Sequence, residues 1–195
     1  ASHNYPEPVA KLLGQFMSAA VLLASTIKFD GSLILQCKGT GQVSTVMVEV
    51  VNRTQIRGIA HYADDFDADQ EMLGEGQLVI TIAPENSKGY QGIVVVKNDD
   101  LAGTLEDYFL QSEQISSRIW LECDGKNAAG MLIQAMPRSA HESSLVERKD
   151  DATWDHLIAL AKTTKPEELL YLANEELLHR LYHEEKIGVF ESRDL

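Results

Sequence analysis

The chain has 195 residues, of which 44% are hydrophobic and 24% are charged. These values are close to the average for soluble globular proteins, so they exclude a fibrous or a disordered chain and fit one domain with an appendage or two small domains. Acidic residues outnumber basic residues 30 to 17 and the formal net charge is -13. Because no cluster of Lys and Arg is present either, nucleic acid is not an expected partner.

The longest uninterrupted apolar run, Ala19–Ala24, is far short of the ~20 residues that cross a bilayer. The first residues of the chain include Glu7 and two prolines and lack the basic start of a signal peptide. We therefore expect a cytoplasmic protein that has no membrane partner.

A helix is predicted from Pro8 to about Lys28, because apolar residues recur there at three- and four-residue intervals. Stretches rich in Val, Ile and Thr follow, separated by Gly, Asn, Asp or Pro, and this composition is typical of strands. The predicted strands cover residues 32–38, 43–51, 55–62, 77–83 and 90–96.

A second helix is predicted over residues 101–112, with Asp99 or Asp100 as its N-cap. Two more strands are predicted over 118–123 and 131–136. Together these elements predict an α+β fold, in which a largely antiparallel β-sheet body with packed helices covers residues 1–137.

The remaining residues, 138–195, have a different pattern. Residues 138–151 are mostly polar, which predicts a connecting loop. Three short helices are predicted after it, with Asn174 as the N-cap of the last one; they cover residues 153–161, 166–172 and 175–185. Helices of this length are marginally stable alone, so we interpret 138–195 as a polar loop followed by a helical linker.

No catalytic motif is present. The sequence has no phosphate-binding loop of the GxxxxGK[ST] type and no GxSxG elbow. The only cysteines are Cys37 and Cys123. Their place in alternating strand patterns favours buried small side chains over reactive thiols. We therefore predict that the chain is not an enzyme and has no catalytic residue.

Two groups of residues resemble metal sites only superficially. The acidic stretch Asp64–Asp69 lacks the glycine and the distal Glu of an EF-hand, which favours a solvated turn. His179 and His183 are four residues apart on a predicted helix, but the Glu that follows the first His in zinc hydrolases is missing. We predict no metal ligand and no cofactor in this chain.

Four stretches, taken in this order and spacing, resemble the thirty-three-kilodalton heat-shock chaperonin family, the redox-regulated bacterial holdases. The resemblance covers nearly the whole chain. The stretches are Gly89–Gly92, Leu105–Gln114, Gly130–Pro137 and Arg180–Glu185.

The resemblance implies an ATP-independent chaperone that binds unfolding proteins under oxidative or heat stress and that can form a homodimer. It also implies a C-terminal zinc domain whose four cysteines follow Cys-x-Cys and Cys-x-x-Cys patterns. Neither Cys37 nor Cys123 matches those cysteines. We therefore expect the sequence to be a piece of a family member that lacks the zinc domain and a short first segment.

In this interpretation the apolar residues of the helical linker are the candidate client-binding residues. They are Trp154, Leu157, Leu169, Leu170, Leu177, Leu178 and Leu181. The periodicity alone favours a different function, a soluble α+β protein-interaction module in which the same residues are packed core. An enzyme with a spatially assembled site is a third possibility, and it requires a pocket in which titratable residues converge.

Overall fold

The computed structural model describes residues 4–26, 30–86, 88–96, 99–135, 147–186 and 188. The chain divides into two compact units, Ala1–Met136 and Pro137–Leu195, which are called the body and the helical unit below. Each is described separately.

The body contains a five-stranded antiparallel sheet with the order β3-β2-β1-β4-β5. All five strands were predicted, and each observed strand begins and ends within one residue of its prediction. Residues with high β-propensity alternate here between two faces, and this period-2 signal is the most direct one for a strand. The strands are β1 (Gly31–Gly39), β2 (Val43–Val51), β3 (Gln55–Tyr62), β4 (Gly76–Pro84) and β5 (Tyr90–Val96).

One face of this sheet packs against helices. Paired residues place Gly58, Val48, Leu35, Ile80 and Gly92 in one line across the five strands. The glycines at the two ends of this line leave room for large side chains: a methyl group on the first would lie 3.1 Å from Leu13 of the first helix, and one on the second would lie 2.4 Å from Tyr108 of the second helix. The core of the body therefore lies on this face.

Helix α1, Glu7–Thr26, is the centre of the body and has ten buried residues. It lies between the five-stranded sheet and a second, two-stranded antiparallel sheet made of β6 (Ser117–Cys123) and β7 (Ala128–Gln134). A methyl group on Gly14 would lie 2.3 Å from the sulfur of Cys123, so the helix and β6 approach closely there. The predicted α+β fold, with helices packed on antiparallel sheets, is confirmed.

Helix α2, Leu101–Tyr108, begins with Asp100 as its N-cap, whose carboxylate accepts a hydrogen bond from the Gly103 amide at 2.9 Å. The prediction of one helix to residue 112 is wrong in its last turn, because Phe109–Glu113 form a π-helical turn. Strand β7 also begins three residues earlier than predicted. Helix α2 is tied to β6 by Glu106, which accepts a hydrogen bond from the Ile119 amide at 2.8 Å.

Asp99 was the other candidate N-cap, and it has a different role. Its backbone has a positive φ of 55°, and its carboxylate accepts three backbone hydrogen bonds from the loop before β4. The donors are the amides of Met72, Leu73 and Gly74, at 2.7, 2.7 and 3.0 Å. Since Leu73 is fully buried, this carboxylate fixes a loop that contributes to the core.

The helical unit contains α3 (Glu147–Ala161), α4 (Pro166–Tyr171) and α5 (Asn174–Tyr182). The predicted loop over 138–151 is wrong for its last five residues, because α3 begins at Glu147; residues 138–146 lie outside the described residues. A polar composition does not distinguish a loop from an exposed helical turn, and Glu, Arg and Lys are good helix formers. Asn174 is the first helical residue and Ala173 occupies the N-cap position, so the predicted cap is also wrong.

Candidate functional site: apolar surfaces of the two units

The seven residues predicted to bind clients all lie on α3, α4 and α5, but they differ in exposure. Leu177 and Leu181 are buried, with 6% and 4% of their surface exposed. The other five are half-buried: Trp154, Leu157, Leu169, Leu170 and Leu178. The two buried leucines therefore act as packing residues in the described structure, while the other five keep part of their surface accessible.

Two polar contacts join α3 to α5 and to the residues that follow it. The Tyr182 hydroxyl donates a hydrogen bond to the Leu157 carbonyl at 3.2 Å, and His156 Nε2 lies 3.0 Å from Glu185 Oε1. Burial raises the pKa of the Tyr182 phenol, so this hydroxyl keeps its proton and remains a donor. The half-buried leucines are held in place by such contacts as well as by their own packing.

The body presents an apolar row that was not predicted. On the face of the five-stranded sheet opposite the core, strand pairing places Ile59, Met47, Gln36, Val79 and Ile93 in one line across all five strands. We call these five residues the outer row. Met47 is 36% exposed and Ile93 is 61% exposed. Four of the five side chains are apolar, so the row forms a stripe that can contact another apolar chain.

Sequence reasoning missed the outer row for a physical reason. β5 reads Tyr-Gln-Gly-Ile-Val-Val-Val, so both of its faces carry apolar residues, and alternation does not identify which face is the core. The pairing register decides it: Val94 and Val96 face the core, while Ile93 and Val95 face outward and are 61% and 54% exposed. The useful signal was the unbroken apolar run itself, which implies that the strand has two contact faces.

An open cavity of about 290 Å³ lies in the body beside the π-helical turn. Its polar centre is Tyr108, whose hydroxyl donates a hydrogen bond to Glu113 Oε1 at 3.0 Å. Burial and the neighbouring Glu113 carboxylate raise the pKa of this phenol, so it stays protonated. The rest of the lining is mainly apolar: Leu23, Leu33, Ile80, Ile82, Phe109 and Ile115. Such a cavity can hold an apolar side chain, and the titratable groups in its lining are Tyr108 and Glu113.

The two cysteines lie on different sheets. Cys37, on β1, is fully buried; burial, with a smaller effect of the Asp99 carboxylate, raises the pKa of its thiol to about 11. Cys123 ends β6, is half-buried, and its sulfur accepts a hydrogen bond from the Gly125 amide at 3.3 Å. Cys37 is therefore buried, as the sequence predicted, whereas Cys123 keeps part of its surface exposed.

The residues of this chain do not fit a tetrathiolate zinc site, because the sequence contains only two cysteines. Within the described parts of the chain, no group of three His, Cys, Asp or Glu side chains has a geometry that holds a metal ion. The rings of His179 and His183 are stacked with centroids 5.4 Å apart, and both residues are exposed. The pair therefore lies on the solvent side of α5.

Helix α1 is long and apolar enough to cross a membrane by length and composition alone, and it lies near the N-terminus. Lys11, Gln15 and Ser18 interrupt the apolar residues of this helix, so no long uninterrupted run marks it in the sequence. The finding is weak evidence for a membrane span, because 44% of the relevant window is buried in the structure. The core helix of a folded domain has the same length and composition.

Comparison with known proteins gives a consistent result. The model of the family described as "Hsp33 protein" matches residues 1–195. A "33 kDa chaperonin" of Pseudomonas savastanoi pv. phaseolicola is 45% identical over 199 residues, which cover 100% of this chain and 65% of that protein. The protein of the same name from Ectopseudomonas mendocina is 46% identical, with 100% and 66% covered. The chain thus spans about two thirds of the length of these curated relatives.

A solved structure supports the fold. The crystal structure of a 33 kDa chaperonin (heat shock protein 33 homolog) from Thermotoga maritima aligns with a TM-score of 0.71 over 92% of this chain and 63% of that one. The sequence identity is 18%, so this similarity concerns the fold alone.

Proposed function

The chain belongs to the Hsp33 protein family, and on that premise we propose that it is the client-binding part of a molecular chaperone, an ATP-independent holdase that binds unfolding proteins. The observation that carries the proposal is the presence of apolar surface in both units: five half-buried residues on the helical unit and the outer row on the body. A holdase needs apolar surface that is accessible without the hydrolysis of a nucleotide. The net charge of -13 keeps a client-loaded chaperone soluble.

We assign client contact to two sets of residues. The first is the predicted set on the helical unit, Trp154, Leu157, Leu169, Leu170, Leu177, Leu178 and Leu181. The second is the outer row. In the first set, Leu177 and Leu181 are buried, so they contact clients only when the helices separate, whereas Met47 and Ile93 of the outer row are exposed in the folded body.

We also propose that the two units have different functions. The body is the client-binding domain, and the helical unit is a linker that covers or releases apolar surface. For the full-length protein we also propose a bound zinc ion, redox control and a homodimer. Within this chain we assign no redox switch to Cys37, which is fully buried, or to Cys123, which is half-buried beside α1. We also place the protein in the cytoplasm and assign it no catalytic activity.

Light scattering by a thermally unfolding client tests the function. We expect the chain to suppress aggregation equally under reducing conditions and after peroxide treatment, because no pair of its cysteines forms a redox centre. The control is an inert protein of similar charge at the same concentration. If aggregation proceeds undiminished in both redox states, the holdase assignment is wrong for this chain.

Two substitutions then distinguish a linker that covers apolar surface from one that binds clients directly. Leu178→Ser with Leu181→Ser removes apolar packing from α5, and we expect stronger suppression of aggregation, because the helices separate more readily. The matched control changes the exposed histidines of the same helix, His179→Ser with His183→Ser, and should have no effect. Weaker suppression in the leucine variant would mean that direct contacts of Leu178 and Leu181 with clients outweigh their role in holding the helices together.

A further inference from the structure

The guanidinium group of Arg180 joins all three helices of the helical unit. From α5 it forms a two-bonded ion pair with Glu168 of α4, with Nε to Oε1 at 2.5 Å and Nη2 to Oε2 at 2.6 Å. It also donates to Thr163, the second residue after the end of α3, with Nη2 to the carbonyl at 2.8 Å and Nη1 to the hydroxyl at 3.2 Å. One side chain therefore makes four hydrogen bonds to two other segments.

Both partners of Arg180 stabilise helix ends themselves. Glu168 Oε2 accepts a hydrogen bond from the Lys165 amide at 2.8 Å, which closes the first turn of α4. The Thr163 amide bonds to the Leu160 carbonyl at 3.0 Å as α3 ends. Loss of the guanidinium would leave the Glu168 carboxylate without its cation and the Thr163 carbonyl without this donor. The helix ends and the contacts between helices are thus stabilised by the same group.

Because no residue of α4 is fully buried, the Arg180 guanidinium is important for holding this helix in place. The six residues of α4 are all described, and none of them is buried. The described buried apolar residues of the unit lie on α3 and α5 instead; they are Ile158, Ala161, Leu177, Leu181 and Tyr182. A helix of six residues is unstable alone, and the leucines of this one, Leu169 and Leu170, are only half-buried. The ion pair with Arg180 therefore adds a two-bonded polar contact to the partial burial that holds α4 in place.

We propose that Arg180 is a latch that holds α4 against α3 and α5, so that its release frees α4 and makes Leu169 and Leu170 fully accessible. The inference rests on the proposed holdase function and adds the control of one of its surfaces. Lysine cannot replace arginine in this role, because a single ammonium group cannot bond both carboxylate oxygens in a plane and a carbonyl beside them. We therefore expect Arg180→Lys to keep the positive charge but to release α4.

Hydrogen exchange followed by mass spectrometry tests the latch without a client. We expect amides of 165–172 to exchange about tenfold faster in Arg180→Lys and in Arg180→Gln, since each loses charge-assisted hydrogen bonds that close α4. Glu168→Gln should have a similar effect, and Arg180→Gln with Glu168→Gln should add little to either change. The control Lys162→Gln removes an exposed charge from the same unit and should leave these rates unchanged.

Hydrogen exchange tests the latch and the aggregation assay tests the holdase function, so each proposal can fail without the other. Unchanged exchange in both Arg180 variants, or strictly additive effects of the two substitutions, would overturn the latch whatever the client assay shows. Faster exchange confined to the helical unit supports it. If the wild-type chain and both Arg180 variants all fail to suppress aggregation while exchange accelerates, the latch stands and the holdase function fails. Stronger suppression by Arg180→Lys supports both.

Discussion

The body and the helical unit are stabilised in different ways. In the body, one helix is enclosed by two sheets and buries ten of its own residues. In the helical unit, five buried apolar residues are described, and α4 is fixed by a polar group. Apolar burial over a large area resists partial opening, whereas a few polar contacts can be lost together. We therefore expect the helical unit to open while the body remains folded.

The largest expected effect comes from the same substitution made in each unit. Leu35→Ala, at a fully buried position of β1, should destabilise the body by about 3–5 kcal/mol through lost burial and a residual cavity. Leu181→Ala in α5 should cost less, about 2 kcal/mol, because a small helical unit can collapse around the vacancy. Urea denaturation, followed by tryptophan fluorescence in Trp120→Phe and Trp154→Phe backgrounds, measures each unit. Equal losses would remove the distinction between the two units.

Substitution of Asp99 tests whether polar contacts also stabilise the body. Asp99→Asn replaces one carboxylate oxygen by a donor, so one or more of the amides of Met72, Leu73 and Gly74 lose their acceptor. We expect a loss of about 1.5–3 kcal/mol in the free energy of unfolding. Asp100→Asn is the control, because asparagine also caps helices well. A loss below that of the control would show that the loop is held by the burial of Leu73 alone.

The sequence predicts the sheet body well and the helical unit less well, for physical reasons. Strand periodicity and turn residues locate the five strands, and the apolar periodicity of α1 is unambiguous. The start of α3 at Glu147 has no such signal, since exposed charged turns have the composition of loops. The contacts of Arg180 are between segments distant in sequence, and no local pattern encodes them. The outer row depends on pairing register, which determines the face that each residue occupies.

Acid should open the helical unit before the body. Hydrogen bonds from Arg180 and from the Lys165 amide lower the pKa of Glu168 below its ordinary value of 4.5. A carboxyl group with a lowered folded-state pKa stabilises the fold above its unfolded value, and this stabilisation disappears as the pH falls through the folded value. Fluorescence of Trp154 in a Trp120→Phe variant should therefore change below about pH 4.5. Glu168→Gln should abolish that part of the change, and a transition that persists in this variant would contradict its assignment to Glu168.

The smallest expected effect concerns Cys37, whose rate of chemical labelling should not change when the helical unit opens. The thiol is fully buried and its pKa is raised to about 11, so at about pH 8 only about one molecule in a thousand carries the thiolate. Cys123 is half-buried and should react with iodoacetamide first. In Arg180→Lys, where the helical unit opens, the labelling rate of Cys37 should stay at the wild-type value, because that rate reports opening of the body. Mass spectrometry of labelled peptides over time measures both sites, with Cys123→Ser to confirm the assignment. An accelerated reaction of Cys37 in the latch variant would mean that the two units open together.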